Sequence, residues 1–113
     1  MLEKKFRLKK SKKISYILNK GKTFKTDIFT AKYYKSEVSF DRFTVITSQK
    51  FSRHAVQRNR ARRRIYEALR LALQETERTK CVDCVIIPHK HIIELDFTKI
   101  KNAISSLLLK TQE

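Results

Sequence analysis

The sequence predicts an α+β fold, in which a small mixed sheet is covered by amphipathic helices. Three observations predict it. Residues 53–73 contain no Gly or Pro and carry Ile65, Ala68, Leu69, Ala72 and Leu73 at i, i+3, i+4, i+7 and i+8, the apolar stripe of a docked helix. Residues 97–108 carry a second helical stripe with Phe97, Ile100, Ile104, Leu107 and Leu108 at i, i+3, i+7, i+10 and i+11. Outside these stand extended runs, alternating in 22–35 and 42–48 and rich in β-branched residues in 81–88.

Taken in order, residues 1–10 form a basic arm in which Lys4, Lys5, Arg7, Lys9 and Lys10 surround Leu2, Phe6 and Leu8. Ser11 is placed to cap a short helix, with Ile14, Ile17 and Leu18 on its apolar face and Gly21 at the position of a C-cap. Lys12 and Lys13 in the first turn oppose the helix dipole, which suits a segment facing a polyanion. Residues 22–35 read as extended, with Phe29, Ala31 and Tyr33 alternating against Ile28, Thr30, Lys32 and Tyr34. Residues 36–41 make a turn, and 42–48 make a second strand, Phe43, Val45 and Thr47 against Thr44, Ile46 and Ser48, expected to pair with the first as a hairpin. After the long helix comes the buried strand 81–88, with Val82, Val85, Ile86 and Ile87. Asp96 is placed as N-cap of the last helix. The order α-β-β(-β)-α-β-α predicts a two-layer sandwich with helices on one face of the sheet, in one domain spanning 1–113.

Charge defines the partner. The 113 residues carry 27 Lys and Arg against 11 Asp and Glu, a formal net charge of +16. Such a domain repels itself unless it meets a polyanion, so nucleic acid or an anionic membrane is the default partner. No apolar run approaches membrane-spanning length and no hydrophobic segment follows the basic N-terminus as in a secretory signal, which points to the cytoplasm. Two cysteines make no disulfide framework.

The charge concentrates at 53–64, where Arg53, Arg58, Arg60, Arg62, Arg63 and Arg64 supply six arginines in twelve residues. Glu67 is the only acid between Asp41 and Glu75. At about 100° per residue from Ile65, Arg58, Ala61 and Arg62 fall on or beside the buried stripe, Asn59 and Tyr66 share one flank, and Arg53, Arg60, Arg63 and Arg64 face outward. Arginine rather than lysine fits planar, bidentate binding of phosphate.

Catalytic chemistry is harder to find. Asp27, Glu37, Asp41, Asp83, Glu94 and Asp96 are scattered singly, so no carboxylate pair marks a metal-assisted nuclease. Cys81, Cys84, His89 and His91 spell C-x2-C-x4-H-x-H, with ligand types that zinc accepts. On a strand, however, Cys84 and His89 stand about 16 Å apart at roughly 3.3 Å per residue, so small buried cysteines and surface histidines are the reading adopted. The cysteine pair opens a strand rather than a helix, which also disfavours a redox role. The chain reads as a binder.

Ala55-Val56-Gln57-Arg58-Asn59-Arg60-Ala61-Arg62-Arg63 resembles the A-V-x-R-N-[RK]-x-[KR]-R signature of the protein subunit of bacterial ribonuclease P. Lys50 before it, Glu67-Ala68-Leu69-Arg70 after it, and Arg7-Leu8 followed by a basic helix and Gly21 are similar too, so the resemblance covers roughly residues 5–110. It implies a left-handed βαβ crossover, as in the ribosomal S5 domain 2-like arrangement. It also implies that the partners are ribonuclease P RNA, one protein to each RNA, and precursor tRNA. The RNA would be the catalyst, using Mg²⁺, in endonucleolytic removal of the 5′ leader. Arg53, Arg58, Asn59, Arg60, Arg62, Arg63 and Arg64 would then contact the catalytic RNA. A cleft formed by Ile14, Leu18, Phe29, Lys32, Tyr34, Arg58, Asn59, Arg62, Arg63 and Tyr66 would hold the leader. Two departures stand out: Ile14 and Leu18 replace frequent aromatics of the family, leaving Tyr16, Tyr34 or Tyr66 to stack on bases, and Phe51-Ser52-Arg53-His54 replaces a commonly Gly-containing turn. The alternatives are a ribosomal or general basic RNA-binding protein, and an independent nuclease or zinc enzyme.

Overall fold

The computed structural model describes residues 4–9, 11–48 and 50–113; Leu2 and Lys10 of the expected arm lie outside the described residues. A short 3₁₀ turn (Lys4–Phe6) precedes helix α1 (Ser11–Lys20), strands β1 (Lys22–Lys25), β2 (Phe29–Lys35) and β3 (Arg42–Val45), helix α2 (Ala55–Glu75), strand β4 (Val82–Pro88), a second 3₁₀ turn (Lys90–Glu94) and helix α3 (Phe97–Lys110). Ser11 begins α1 as its first helical residue. Asp96 caps α3 as expected, its Oδ1 accepting from the Lys99 N–H at 3.0 Å.

The single extended run 22–35 is two strands. It folds back at Thr26, whose Oγ1 accepts from the N–H groups of Ile28 and Phe29, both at 3.1 Å, and so makes a turn without Gly or Pro. The expected hairpin between 29–35 and 42–48 does not form. The sheet order is β1-β2-β4-β3, so β4 sits between them, antiparallel to β2 and parallel to β3. The reason lies in β4, where every residue except Ile87 is buried. A strand that apolar on both faces belongs at the centre of a sheet.

Alternation along β4 divides the core in two. Cys84 and Ile86 join Phe29, Ala31, Tyr33, Phe43 and Val45 against Ile65, Leu69, Ile100, Ile104 and Leu108 of α2 and α3. Val85 points to the opposite face and packs with Leu8 and Ile17, with Ile14, Leu18, Ile46 and Ile87 around them. The two-layer arrangement is thus the sheet with α2 and α3, while α1 covers part of the other face.

Gly21 ends α1, its N–H donating to the Ile17 carbonyl at 2.8 Å. It does so without the left-handed backbone of a glycine C-cap. What requires glycine is proximity: a Cβ would stand 2.6 Å from the Ile17 carbonyl oxygen and 2.9 Å from that of Tyr33. Two buried carboxylates lock the sheet to its surroundings. Asp41 accepts from Arg78 at 2.8 and 2.9 Å and from the Val82 N–H at 2.9 Å. Asp83, fully buried on β4, accepts both arms of Arg42 at 2.8 Å, and this hydrogen-bonded carboxylate raises the Arg42 pKa.

Candidate RNA interface

Helix α2 begins after an extended His54 and has no acidic residue in its first turn. Buried Ser52 organises the approach: its hydroxyl donates to Gln57 Oε1 at 2.5 Å and accepts from the His54 N–H at 3.1 Å. The helix then presents its arginines in the two sets that the spacing predicted. Arg53, Arg60 and Arg63 are exposed, as is Asn59, whereas Arg58 and Arg62 are half-buried beside Ala61 on the core side. Arg58 donates to the Ser52 carbonyl at 2.8 Å. Arg62 donates to Thr47 Oγ1 at 2.5 Å and to Asn59 Oδ1. These acceptors are neutral, so the guanidinium charges remain uncompensated and the side chains are held in place. Arg64, expected on the outward surface, is half-buried and donates to the Leu95 carbonyl at 2.6 Å, tying α2 to the turn before α3.

Asn59, Arg62, Arg63 and Tyr66 converge with Val56 and Arg7 around a shallow cavity of about 380 Å³. Arg7 was not among the site residues read from the sequence. It reaches the cavity because the arm pairs with β3, Arg7 forming a parallel bridge with Phe43 and Leu8 donating to the Phe43 carbonyl at 2.7 Å. The Arg7 guanidinium stacks on the Tyr66 ring, 5.1 Å from its centroid. Its Nε is buried and has no hydrogen-bond partner among the described residues. The Tyr66 hydroxyl meanwhile accepts from the Val45 N–H at 3.3 Å. Tyr66 therefore supports β3 and Arg7, and the ring face that Arg7 covers is not available to a base.

The other expected cleft residues divide by face. Ile14 and Leu18 pack, partly buried, beside Val85 and Ile17. Lys32 and Tyr34 lie opposite Val85 and Asp83 in the register and share that face of the sheet. Ile46, on the same face, precedes Thr47, the partner of Arg62, so the cationic side of α2 borders this surface. Phe29 is a correction. It is fully buried in the opposite core against α2 and α3, because it alternates with Thr30 and Lys32 rather than with Ala31 and Tyr33. Missed in the sequence was the pairing of Tyr16 with Tyr34, edge to face with centroids 5.2 Å apart. The i, i+3, i+7 spacing of Lys13, Tyr16 and Lys20 was the available signal.

The cysteine and histidine motif is dispersed. Cys84 is fully buried on β4 and burial pushes its thiol pKa up; burial also raises that of Cys81. His89 is engaged by Thr30 Oγ1 at 2.9 Å and by the Asp27 carbonyl at 3.1 Å. Among the described residues, no three His, Cys, Asp or Glu side chains gather to hold a metal ion. Among them also, no helix is long and apolar enough to cross a membrane.

Known proteins share this architecture and this sequence pattern. The family model described as Ribonuclease P matches residues 2–112. The Ribonuclease P protein component of Caldanaerobacter subterraneus subsp. tengcongensis is 30% identical over 111 residues, covering 98% of this chain and 93% of that protein. The protein of the same name from a Thermoanaerobacter species is 29% identical with the same coverage. Among solved structures, the RNase P protein from Thermotoga maritima superposes with a TM-score of 0.80 at 25% identity, over 92% of this chain and 96% of that one. A Staphylococcus aureus RNase P protein, a mutant with defective mRNA degradation activity, also reaches 0.80, at 23% identity over 96% of this chain and 88% of that one, a likeness of fold. The family match over nearly the whole chain, the relatives of the same name and the shared sheet lead to one conclusion: the chain belongs to the Ribonuclease P protein family.

Proposed function

We propose that this chain, acting as one domain over residues 1–113, binds the catalytic RNA of a cytoplasmic ribonuclease P and the 5′ leader of precursor tRNA, one protein to each RNA. The observation that carries the reading is the state of the α2 arginines. Arg58 and Arg62 are fixed by neutral oxygens while Arg53, Arg60 and Arg63 stand exposed, and among the described residues none of the five meets a carboxylate. Guanidinium groups ordered but not neutralised are prepared for phosphate.

The outer set, Arg53, Arg60 and Arg63 with Asn59, contacts the catalytic RNA. The inner set, Arg58 and Arg62, turns toward the face holding Ile14, Leu18, Lys32 and Tyr34, where a single strand lies. Only the precursor carries that strand, so leader contacts favour precursor over mature tRNA. Binding neutralises phosphates and releases counterions, which lets the RNA hold its fold and its substrate at lower salt and lower Mg²⁺. In this reading Mg²⁺ is bound mainly by the RNA, which carries the hydrolytic chemistry, and the protein supplies binding and position.

The test is cleavage of precursor tRNA at low Mg²⁺ by a bacterial ribonuclease P RNA, with and without the protein. Cleavage at the mature 5′ end only when both are present supports the proposal. Binding without stimulation of cleavage leaves a general RNA-binding protein, and cleavage by the protein after removal of all RNA assigns the chemistry to the chain itself.

A further inference from the structure

His89 stands just beyond β4, and its ring is fixed at both nitrogens. Nδ1 lies 3.1 Å from the Asp27 carbonyl oxygen, which only accepts, so Nδ1 carries the hydrogen. Nε2 lies 2.9 Å from Thr30 Oγ1 and, in the neutral ring, accepts from that hydroxyl. The backbone is held as well, the His89 N–H donating to the Ile28 carbonyl at 2.7 Å. A second proton on the ring costs neither bond, because Nε2 then donates and the Thr30 hydroxyl turns to accept. The charged ring is held by two neutral oxygens, and among the described residues no ion pair joins it to a carboxylate. Arg58 and Arg62 are ordered in the same way, by the Ser52 carbonyl and by Thr47 Oγ1. The difference is that an imidazole gains or loses its charge between about pH 5 and pH 8, whereas a guanidinium keeps it.

The ring sits at the end of the sheet where the α2 arginines begin. Strands β3 and β4 are parallel neighbours, Val45 opposite Ile86, so the segments that carry Thr47 and His89 leave the sheet at the same end, from strands about 4.8 Å apart. The charged and titratable groups on the segments around the ring are Lys25 and Asp27 at the β1–β2 turn, Lys32 on β2, and Lys90, His91 and Glu94 in the 3₁₀ turn that follows. Lys90 and His91 are exposed, and the His91 ring centroid is 6.4 Å from that of His89. Arg58 and Arg62 add two cations from α2. Cations outnumber carboxylates there, so an arriving phosphate meets a net positive surface.

We infer that His89 is a further phosphate contact of the RNA interface, one that takes up a proton as RNA binds. The inference rests on the RNA-binding reading above and adds to it a linkage to pH. An anion within about 4–6 Å favours the charged form of an imidazole, so phosphate and proton each strengthen the binding of the other. The phosphate belongs to the 5′ leader or to the catalytic RNA; both offer the same group, and the experiment separates them. His54 and His91 lie at the same end but are exposed. Ordering a free side chain on a phosphate costs entropy that the fixed ring of His89 does not lose again.

The experiment measures equilibrium binding of the holoenzyme, reconstituted with a bacterial ribonuclease P RNA, to a precursor tRNA made uncleavable at the scission site, between about pH 6 and about pH 8. The RNA responds to pH too, so wild type and variants are compared on the same RNA and the ratio of their affinities is the readout. At the alkaline end His89→Gln should match wild type within about twofold, and at the acid end it should bind about five- to tenfold more weakly, tenfold being one unit of proton linkage. His89→Lys, with a permanent charge, should hold the acid-end affinity across the range. His54→Gln and His91→Gln should leave the ratio flat. Titration calorimetry in two buffers of different ionisation heat should show wild type taking up more protons on binding than His89→Gln. Melting temperatures at both ends separate a folding defect from a lost contact. A loss confined to precursor, absent with mature tRNA, assigns the phosphate to the leader; a loss already present when the protein binds the catalytic RNA alone assigns it to that RNA. A ratio that does not move with pH, with equal proton uptake, overturns the inference and leaves the RNA-binding reading standing. Wild-type protein that binds neither RNA at any pH sinks that reading itself.

Discussion

The arginines of this chain fall into two populations. Arg42 and Arg78 are more than four-fifths buried and each grips a buried carboxylate with two nitrogens, Asp83 and Asp41 respectively. Among the described residues, those at the start of α2 have only neutral oxygens or none. The first population is structural, because a buried charge persists only when paired and hydrogen-bonded. The second leaves its charge unspent. In a domain of net charge +16 with 11 acids, where those acids are placed matters as much as how many arginines there are. Two of them hold the sheet, and among the described residues no ion pair joins an acid to the arginines at 53–64.

The largest effect should come from exchanging a paired arginine. Arg78→Met leaves Asp41 buried without its counter-charge and removes the bond to the Leu108 carbonyl at 2.7 Å. A loss of about 3–5 kcal/mol follows, and thermal unfolding should shift down by at least about 10 °C. A stable Arg78→Met protein would break the division between the two populations. Next, Arg60→Gln and Arg63→Gln should each weaken RNA binding by about tenfold at low salt while stability stays within about 0.5 kcal/mol of wild type. Filter binding alongside thermal melts checks both halves; a matching loss of stability would make these residues structural after all.

Arg64 sharpens the boundary. Its bond to the Leu95 carbonyl predicts that Arg64→Met lowers stability by about 1 kcal/mol and changes RNA affinity little, read in the same two assays. The smallest effect belongs to Glu67, the first acid after the arginine run. The Arg70 hydrogen bond holds its carboxyl down to about 2 from the usual 4.5. Because the folded-state pKa is lowered, the contribution of Glu67 is fully present above pH 4.5 and fades as pH falls toward 2. The difference in melting temperature between wild type and Glu67→Gln should shrink across that window.

Much of this was legible in the sequence. The stripes of α2 and α3, the Asp96 cap, the buried character of β4 and the two arginine surfaces all follow from periodicity, which is a local property. Pairing is not local. Alternation in 29–35 and 42–48 fits either strand as neighbour to the other, and only the demand of β4 for two covered faces separates them. The break at Thr26 was hidden because a threonine hydroxyl did the work usually done by glycine. Phe29 was grouped with Lys32 and Tyr34 although alternation already sets it on the other face of β2, which the register with Pro88 turns to the core. Arg7 escaped because its role depends on the arm meeting β3, a contact between residues 36 positions apart in the chain.

That meeting has a consequence for the free protein. Strands β1 and β3 are the two margins of the sheet, and an unguarded margin offers free amide and carbonyl groups to any other chain. On β1 the exposed Lys22 and Lys25 repel a visitor; on β3 the backbone at Phe43 is already occupied by Arg7 and Leu8. Arg7 and Leu8 of the basic arm therefore also shield this margin of the sheet. A chain lacking the arm should lose solubility first and RNA affinity second, clumping by strand addition at concentrations where the intact protein stays dispersed.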